Sequence, residues 1–279
     1  MNVTLWGTRG SLATPGHQAE RYGGNTSCVE LRSSQGQLVI LDAGTGIRPL
    51  SAALGGEGGR VDILLTHLHM DHVQGLGFLA PLYNPAFEVH IWGPPSTTLD
   101  LRDRLSRYLS PPLFPVQMRD LPCRLTLHNA PLEESEIGGL RVTASLVCHP
   151  GPTVGYRISE DGKTVAYLPD HEPALGCRSF PERSTWTSGY GVAEAADLLI
   201  HDAQYTADEY EKHVGWGHSS IDHALAFADI AKVARLVTFH HDPEHDDATI
   251  DRLLNEARRS SERSFEVIGG TEGASFEVG

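Results

Sequence analysis

Short apolar and β-branched runs recur along the chain, each closed by glycine, proline, aspartate or asparagine. They predict strands over 2–6, 27–31, 37–41, 61–65, 88–92, 140–146, 154–158, 164–168, 198–201 and 236–239. Helical periodicity predicts helices over 47–54, 99–108, 219–231 and 248–259. The early strands follow one another closely, whereas the later ones alternate with helices. The expected class is therefore α/β, with two mixed sheets packed together and helices outside. No Ser/Gly-rich linker, charge block or internal repeat divides the chain, so residues 1–279 are read as one domain. The stretch 109–122 contains Ser110-Pro111-Pro112-Leu113-Phe114-Pro115-Val116, which can continue neither a helix nor a central strand. It is either a rigid surface connection or a lid that brings Leu113 and Phe114 to a pocket.

Composition narrows the partners. Apolar residues make up 40% and charged residues 21%, the balance of a globular chain able to bury a substantial core. A formal net charge of −14 argues against a broad basic surface for DNA or structured RNA. A small phosphate ester stays open, because bound metal ions reverse the local field inside an acidic protein. Cys28, Cys123, Cys148 and Cys177 fit neither a zinc knuckle nor a small disulfide framework and read as reduced thiols. The N-terminal strand lacks the regions of a signal peptide, and no apolar run is long enough to span a bilayer. The expectation is a soluble cytoplasmic protein with no membrane partner; a homodimer is left open.

Histidine changes the picture. There are 15, against 22 lysines plus arginines, and several stand beside aspartates at turn-like positions. The apolar strand 61–65 runs directly into Thr66-His67-Leu68-His69-Met70-Asp71-His72. A loop at a strand's end can aim alternate side chains at one spot. Three imidazoles and a carboxylate provide ligands suited to zinc, with manganese or iron as further options. They offer more donors than one tetrahedral ion with an open position needs, so two divalent ions are expected.

That run resembles the His-x-His-x-Asp-His signature of the metallo-β-lactamase superfamily, whose fold is an αβ/βα sandwich with metals at one sheet edge. Later segments extend the resemblance over nearly the whole chain. Cys148-His149-Pro150-Gly151-Pro152 is similar to the family's third motif, Tyr167-Leu168-Pro169-Asp170-His171 to the fourth, and Leu236-Val237-Thr238-Phe239-His240 to the last. The resemblance implies that His67, His69 and His149 hold one metal and that Asp71, His72 and His240 hold the other, with Asp170 between them. His240, His241 and His245 stand close together. Strand alternation turns His240 and His241 to opposite faces, so one of the two is the final ligand, with His240 preferred. His245 is expected to order a loop.

Departures within the superfamily narrow the chemistry. True β-lactamases place a cysteine at the second metal, and the respiratory diiron oxidoreductases carry glutamate where this chain has His69. Trp216-Gly217-His218-Ser219-Ser220 is similar to the His-Ser/Thr loop of the phosphodiesterase branch, which includes ribonuclease Z and the cyclic phosphodiesterase of the phosphonate pathway. The segment Leu199-Ile200-His201-Asp202-Ala203 resembles the one whose acidic residue orients that histidine. His218 is thus expected to be the general acid and Asp202 its orienting carboxylate, with Ser219 capping the helix that follows. Asp71 is counted with both the metal ligands and the catalytic groups. The loops Gly7-Thr8-Arg9-Gly10-Ser11 and Gly23-Gly24-Asn25-Thr26-Ser27 resemble N-terminal loops of the same branch and either cradle phosphate or serve as turns.

One feature of ribonuclease Z is missing: the long tRNA-gripping arm between the third-motif histidine and the bridging aspartate. Here His149 and Asp170 are 21 positions apart. With the acidic charge, this favours a small phosphodiester, such as a cyclic nucleotide or related ester, over structured tRNA or DNA. Tyr83, Trp92, Phe114, Tyr156 and Trp216 are candidates for a stacking wall. The alternatives are a lactone or thioester hydrolase of the same fold, and a nucleotide-binding or sensory module without turnover.

Overall fold

A computed structural model describes residues 1–177, 180–181, 183–259 and 264–279. Six strands open the chain: β1 Asn2–Gly7, β2 Cys28–Arg32, β3 Leu38–Leu41, β4 Gly59–Leu64, β5 Phe87–Gly93 and β6 Arg124–Asn129. Seven more follow: β7 Ser135–Ile137, β8 Leu140–Leu146, β9 Val154–Glu160, β10 Lys163–Leu168, β11 Leu198–Asp202, β12 Arg235–Phe239 and β13 Glu266–Gly269. The last, β14 Ser275–Glu277, returns to pair with β1. The first sheet has the order β14-β1-β2-β3-β4-β5-β6 and the second β13-β12-β11-β10-β9-β8-β7. Each sheet is antiparallel towards one edge and parallel towards the other.

Strand alternation explains the layering. In β3, Val39 and Leu41 point between the sheets, where they meet Tyr156, Ile158, Val165 and Tyr167 of the second sheet. The intervening Leu38 and Ile40 join Ile63, Val89 and Ile91 beneath the helices Ile47–Ala53 and Leu101–Ser106. On the far side, Ala166, Leu168, Leu199 and Leu236 pack under the helices Ile221–Ala231 and Asp247–Arg259. Four layers result, and strands buried on both faces read as nearly continuous apolar runs. This is the sandwich of two mixed sheets expected from the sequence.

Three of the predicted helices are shortened and the fourth begins one residue earlier, at Asp247, while four strands went unpredicted: β6, β7, β13 and β14. The chemistry gathers at the carboxyl ends of parallel strands. Asp42 follows β3, the run 66–72 follows β4, Asp170 follows β10, Asp202 ends β11 and His240 follows β12. Crevices at such strand ends are where α/β sheets place their ligands. Within the segment 109–122, Phe114 is buried against Tyr108 and Phe78, whereas Leu113 is exposed beside Leu68 and Met70. No helix among the described residues is long and apolar enough to cross a membrane, and none of the four cysteines is paired.

Candidate metal centre

The chain leaves β4 at its carboxyl end, passes Thr66, His67 and His69, and turns into a single helical turn, Met70–Val73. His69 is the N-cap of that turn, and Asp71 and His72 lie within it. The expected loop is thus a loop only as far as His69. From the second sheet Asp170 arrives after β10 and His240 after β12, while His149 comes from the turn between β8 and β9.

Two groups of donors form, and Asp170 belongs to both. His67, His69, His149 and Asp170 gather on one side; Asp71, His72, Asp170 and His240 gather on the other. Oδ2 of Asp170 lies 3.7 Å from Nε2 of both His67 and His149. Its Oδ1 lies 2.9 Å from Nε2 of His72 and 3.4 Å from Nε2 of His240. Oδ2 of Asp71 closes the second group, 3.1 Å from His240 and 3.3 Å from His72. Every residue read from the sequence as a ligand is therefore in one of the two groups. His241 faces elsewhere: its Nε2 donates to the Gly270 carbonyl. His245 meets Glu209 instead.

The outward ring nitrogens show why the inward ones are free. Nδ1 of His72 donates to Asp42, and Nδ1 of His149 donates to the Gly217 carbonyl, both at 2.8 Å. Nδ1 of His240 meets the side-chain oxygen of Gln204 at 2.9 Å, and Nδ1 of His67 meets the Thr66 hydroxyl. Each acceptor fixes a tautomer that leaves Nε2 as a lone-pair donor, the arrangement metal-bound imidazoles require. Nε2 of His67 is buried without a hydrogen-bond partner, and Nε2 of His72, its ring proton already given to Asp42, faces Oδ1 of Asp170 at 2.9 Å lone pair to lone pair. Such groups are costly to bury unless something else satisfies them. A pair of divalent cations fits this donor set in charge and chemistry.

Electrostatics agree with that fit. Burial, with the neighbouring His72, pushes the His67 imidazole well down, and burial takes His149 to about 4, so both are neutral donors. Asp170 behaves oppositely. Burial alone would raise it, but His240, His72 and His67 hold its carboxyl well below the usual range. Burial alone would lower His72, but Asp170, Asp71 and Asp42 draw it well up, so these buried carboxylates call for positive charge, which a bound cation would supply.

Beside this cluster, His218 and Asp202 are in contact. Nδ1 of His218 donates to Oδ2 of Asp202 at 2.7 Å. Burial works against protonation of His218, yet the Asp202 charge and hydrogen bond, helped by Asp170, raise it to about 9. Asp202 also accepts from the backbone N–H groups of His171, Gln204 and Ser219, so both of its oxygens are occupied. The helix cap differs from expectation. Ser220, not Ser219, receives the His223 N–H, and the Ser219 hydroxyl donates to the His171 carbonyl. His218 is thus held by the folded loop independently of the cap.

The glycine loops spend their N–H groups on the protein itself. The N–H groups of Thr8 and Arg9 donate to Asn25 O, that of Gly10 to His241 O and that of Ser11 to Asp71. In the second loop, Gly23 N donates to Ala19 O, Asn25 N to Glu272 and Thr26 N to Thr45. These loops brace the site instead, with the buried Arg9 donating to the carbonyls of Gly23, Asp242 and His245. Of the five candidate wall aromatics, Tyr156 is sealed between the sheets and Phe114 is buried under the first sheet. Trp92 packs at the edge of the inter-sheet core and Tyr83 bonds the Gly77 carbonyl, leaving Trp216, exposed two residues from His218.

Three supporting residues were not read from the sequence. Asp42 accepts from Thr66 N, the Thr66 hydroxyl, His72 and the Tyr167 hydroxyl. Gln204 holds His240, and its amide nitrogen reaches Asp242. Glu172, wholly buried, accepts from Tyr210 Oη, Gly215 N and Gly217 N, and so fixes the loop whose carbonyl orients His149. Gly217 itself adopts φ 90°, and a Cβ there would stand 2.3 Å from the His149 ring. The available signal was an acidic or amide residue immediately after a buried strand or beside a ligand.

Comparison with known proteins places these features. A model described as "Beta-lactamase superfamily domain" matches residues 38–241. A ribonuclease Z of Myxococcus xanthus (strain DK1622) is 29% identical over 269 residues, covering 82% of this chain and 85% of that protein. Among solved structures, the metallo-β-lactamase fold protein YhfI from Bacillus subtilis superposes with a TM-score of 0.72 at 21% identity, covering 99% of each chain. The short form of human tRNase Z superposes with a TM-score of 0.68 at 23% identity, covering 100% of each.

Proposed function

This chain belongs to the beta-lactamase superfamily, and we propose that it is a dinuclear metal-dependent hydrolase cleaving small phosphodiesters. One observation carries the reading. The two oxygens of Asp170 face two separate donor groups, and the His218–Asp202 pair stands beside them. His67, His69 and His149 would hold one ion, and Asp71, His72 and His240 the other, with Asp170 shared. When bound, two divalent ions, zinc being best matched to these ligands, supply an activated water and stabilise charge gathering on phosphoryl oxygens.

The chain's own residues account for the rest. Asp71 takes the Ser11 N–H on the same oxygen that faces His240 and His72, which fixes its orientation. His218, raised to about 9, carries its proton at neutral pH. Because Asp202 occupies Nδ1, the proton for the leaving oxygen is the one on Nε2. Lactone or thioester cleavage has no need of such a donor where the leaving group departs unaided, and a binding module has no need of it at all.

A second reading, an RNA substrate, draws on the name of the Myxococcus relative. Against it, the interval between His149 and Asp170 is filled by the β9–β10 hairpin closed at Asp161-Gly162, and the chain carries a net charge of −14. The four unpaired cysteines support a cytoplasmic setting. Metal-loaded protein assayed in parallel on bis(p-nitrophenyl) phosphate, cyclic nucleotides and a precursor tRNA separates the readings. Turnover of the small esters alone supports the first, and cleavage of the RNA alone transfers the assignment to the second.

A further inference from the structure

A cavity of about 270 Å³ opens directly from the first donor group, with His67 and His69 in its wall. Opposite them stand Arg104 and Arg107, with Ser96 and Thr98 alongside. A neighbouring cavity of about 310 Å³ is lined by Met70, Tyr108 and Leu113, and shares Leu68 and both arginines with the first. Neither cavity has a carboxylate in its lining. In a chain of net charge −14, this wall is locally cationic.

The two guanidinium groups are unusual in what they lack. Among the described residues, neither lies within ion-pair distance of an acidic side chain. Arg104 is half-buried and anchored by backbone: its Nη2 donates to the Pro94 carbonyl at 2.6 Å and its Nε to the Asp100 carbonyl. Those bonds hold the planar group in place; Asp100 offsets part of its charge through space, but no carboxylate is in ion-pair contact with it. Arg107, one turn further on, is exposed beside it. A fixed arginine and an exposed one, with hydroxyl groups at hand, make a donor set for a phosphate-like anion.

Resting on the phosphodiesterase reading, we infer that this wall is a subsite for a second anionic group of the substrate. The substrate class is a phosphodiester that also carries a terminal phosphate monoester. The scissile phosphorus lies at Asp170, and the terminal phosphate lies against Arg104 and Arg107. A doubly charged group gives both arginines the ion-pair contact that the fold does not supply, and low-dielectric walls focus their field along the cavity. The reaction itself is unchanged: water adds at the scissile phosphorus, the ester oxygen leaves with a proton, and the terminal phosphate stays intact.

The test compares two substrates that differ only in that group: a dithymidine phosphodiester with and without a 5′-terminal phosphate. Zinc-loaded protein is assayed on both, with bis(p-nitrophenyl) phosphate as a probe of the phosphodiesterase reading itself. The wild type is expected to prefer the phosphorylated substrate by about tenfold or more in kcat/KM, mainly through KM, and less so as salt is added. Arg107→Gln and Arg104→Gln should each bring the preference to within about threefold of unity. Arg107 is exposed, so its variant retains the fold. A wild-type preference near one, or a preference unchanged in both variants, overturns the inference while leaving the phosphodiesterase reading intact. Absence of turnover on bis(p-nitrophenyl) phosphate removes that reading, and the inference with it.

Discussion

Nδ1 of His218 and Oδ2 of Asp202 are 2.7 Å apart and buried beside the two donor groups of Asp170. This contact sets the tautomer, the charge and the position of the proposed general acid at once. Its loss should therefore be felt according to how much the leaving group needs a proton. His218→Ala is expected to slow cleavage of an alkyl phosphodiester by about 10²–10⁴-fold. The same variant should slow bis(p-nitrophenyl) phosphate far less, because nitrophenolate departs without protonation. Steady-state rates on the two substrates check it, and equal losses would assign His218 to metal binding or folding.

The same pair links stability to pH. Its partner carboxylate raises His218 in the folded protein to about 9, above the ordinary imidazole value of about 6.5. The pair's contribution is then complete below about 6.5 and lost as pH rises through about 9. Urea midpoints of the wild type and His218→Gln should differ most near pH 6 and converge near pH 10, with about the same slopes. A gap that widens with pH would reverse the sign and refute the protonated state.

Asp42 predicts an effect on metal affinity without contact to substrate. It takes four donors, one of them His72 Nδ1, and holds that ring so that Nε2 faces Asp170. Asp42→Asn should weaken binding of the second metal by about 10–100-fold, as is usual when the partner of a metal-bound imidazole is removed. Competition with a chromophoric chelator measures this directly. Unchanged affinity would restrict Asp42 to a folding role.

Glu172 acts at longer range. Its three donors come from Tyr210, Gly215 and Gly217, and the Gly217 carbonyl orients His149. Glu172→Ala strands the buried Gly217 N–H, at about 1–3 kcal/mol, and also removes the acceptor of Tyr210 Oη and Gly215 N. The expected result is a Tm lowered by roughly 5–10 °C together with weaker binding of the first metal. Glu172→Gln, which keeps one acceptor, should restore part of both.

Much of this was legible in residue order, for physical reasons that differ by element. The run from Thr66 to His72 follows an apolar strand, and strand ends gather side chains, so a metal-binding cluster could be expected there without coordinates. His149, Asp170 and His240 also follow strands, but it was the resemblance of their segments to family motifs that singled them out. The strands β6 and β14 were not legible: β6 lies at a sheet edge with Leu125 and Leu127 half-buried among polar neighbours, and β14 has three residues. Their pairing depends on partners distant in sequence. Asp42, Gln204 and Glu172 escaped for a related reason, since an acceptor's purpose is set by the donor that reaches it. Residue order left the glycine loops open between a phosphate cradle and turns, because it does not show that Asn25, Asp71 and Glu272 already occupy their N–H groups.

The central claim is that two ions shared by Asp170 drive phosphodiester hydrolysis. Stepwise addition of zinc to chelator-stripped protein, with bis(p-nitrophenyl) phosphate turnover followed at each step, tests it most directly. Binding of about two ions per chain, with turnover reaching its full value only as the second is taken up, is the predicted result. Binding of a single ion at saturation, or no turnover of any phosphodiester with zinc, manganese or iron, would contradict it.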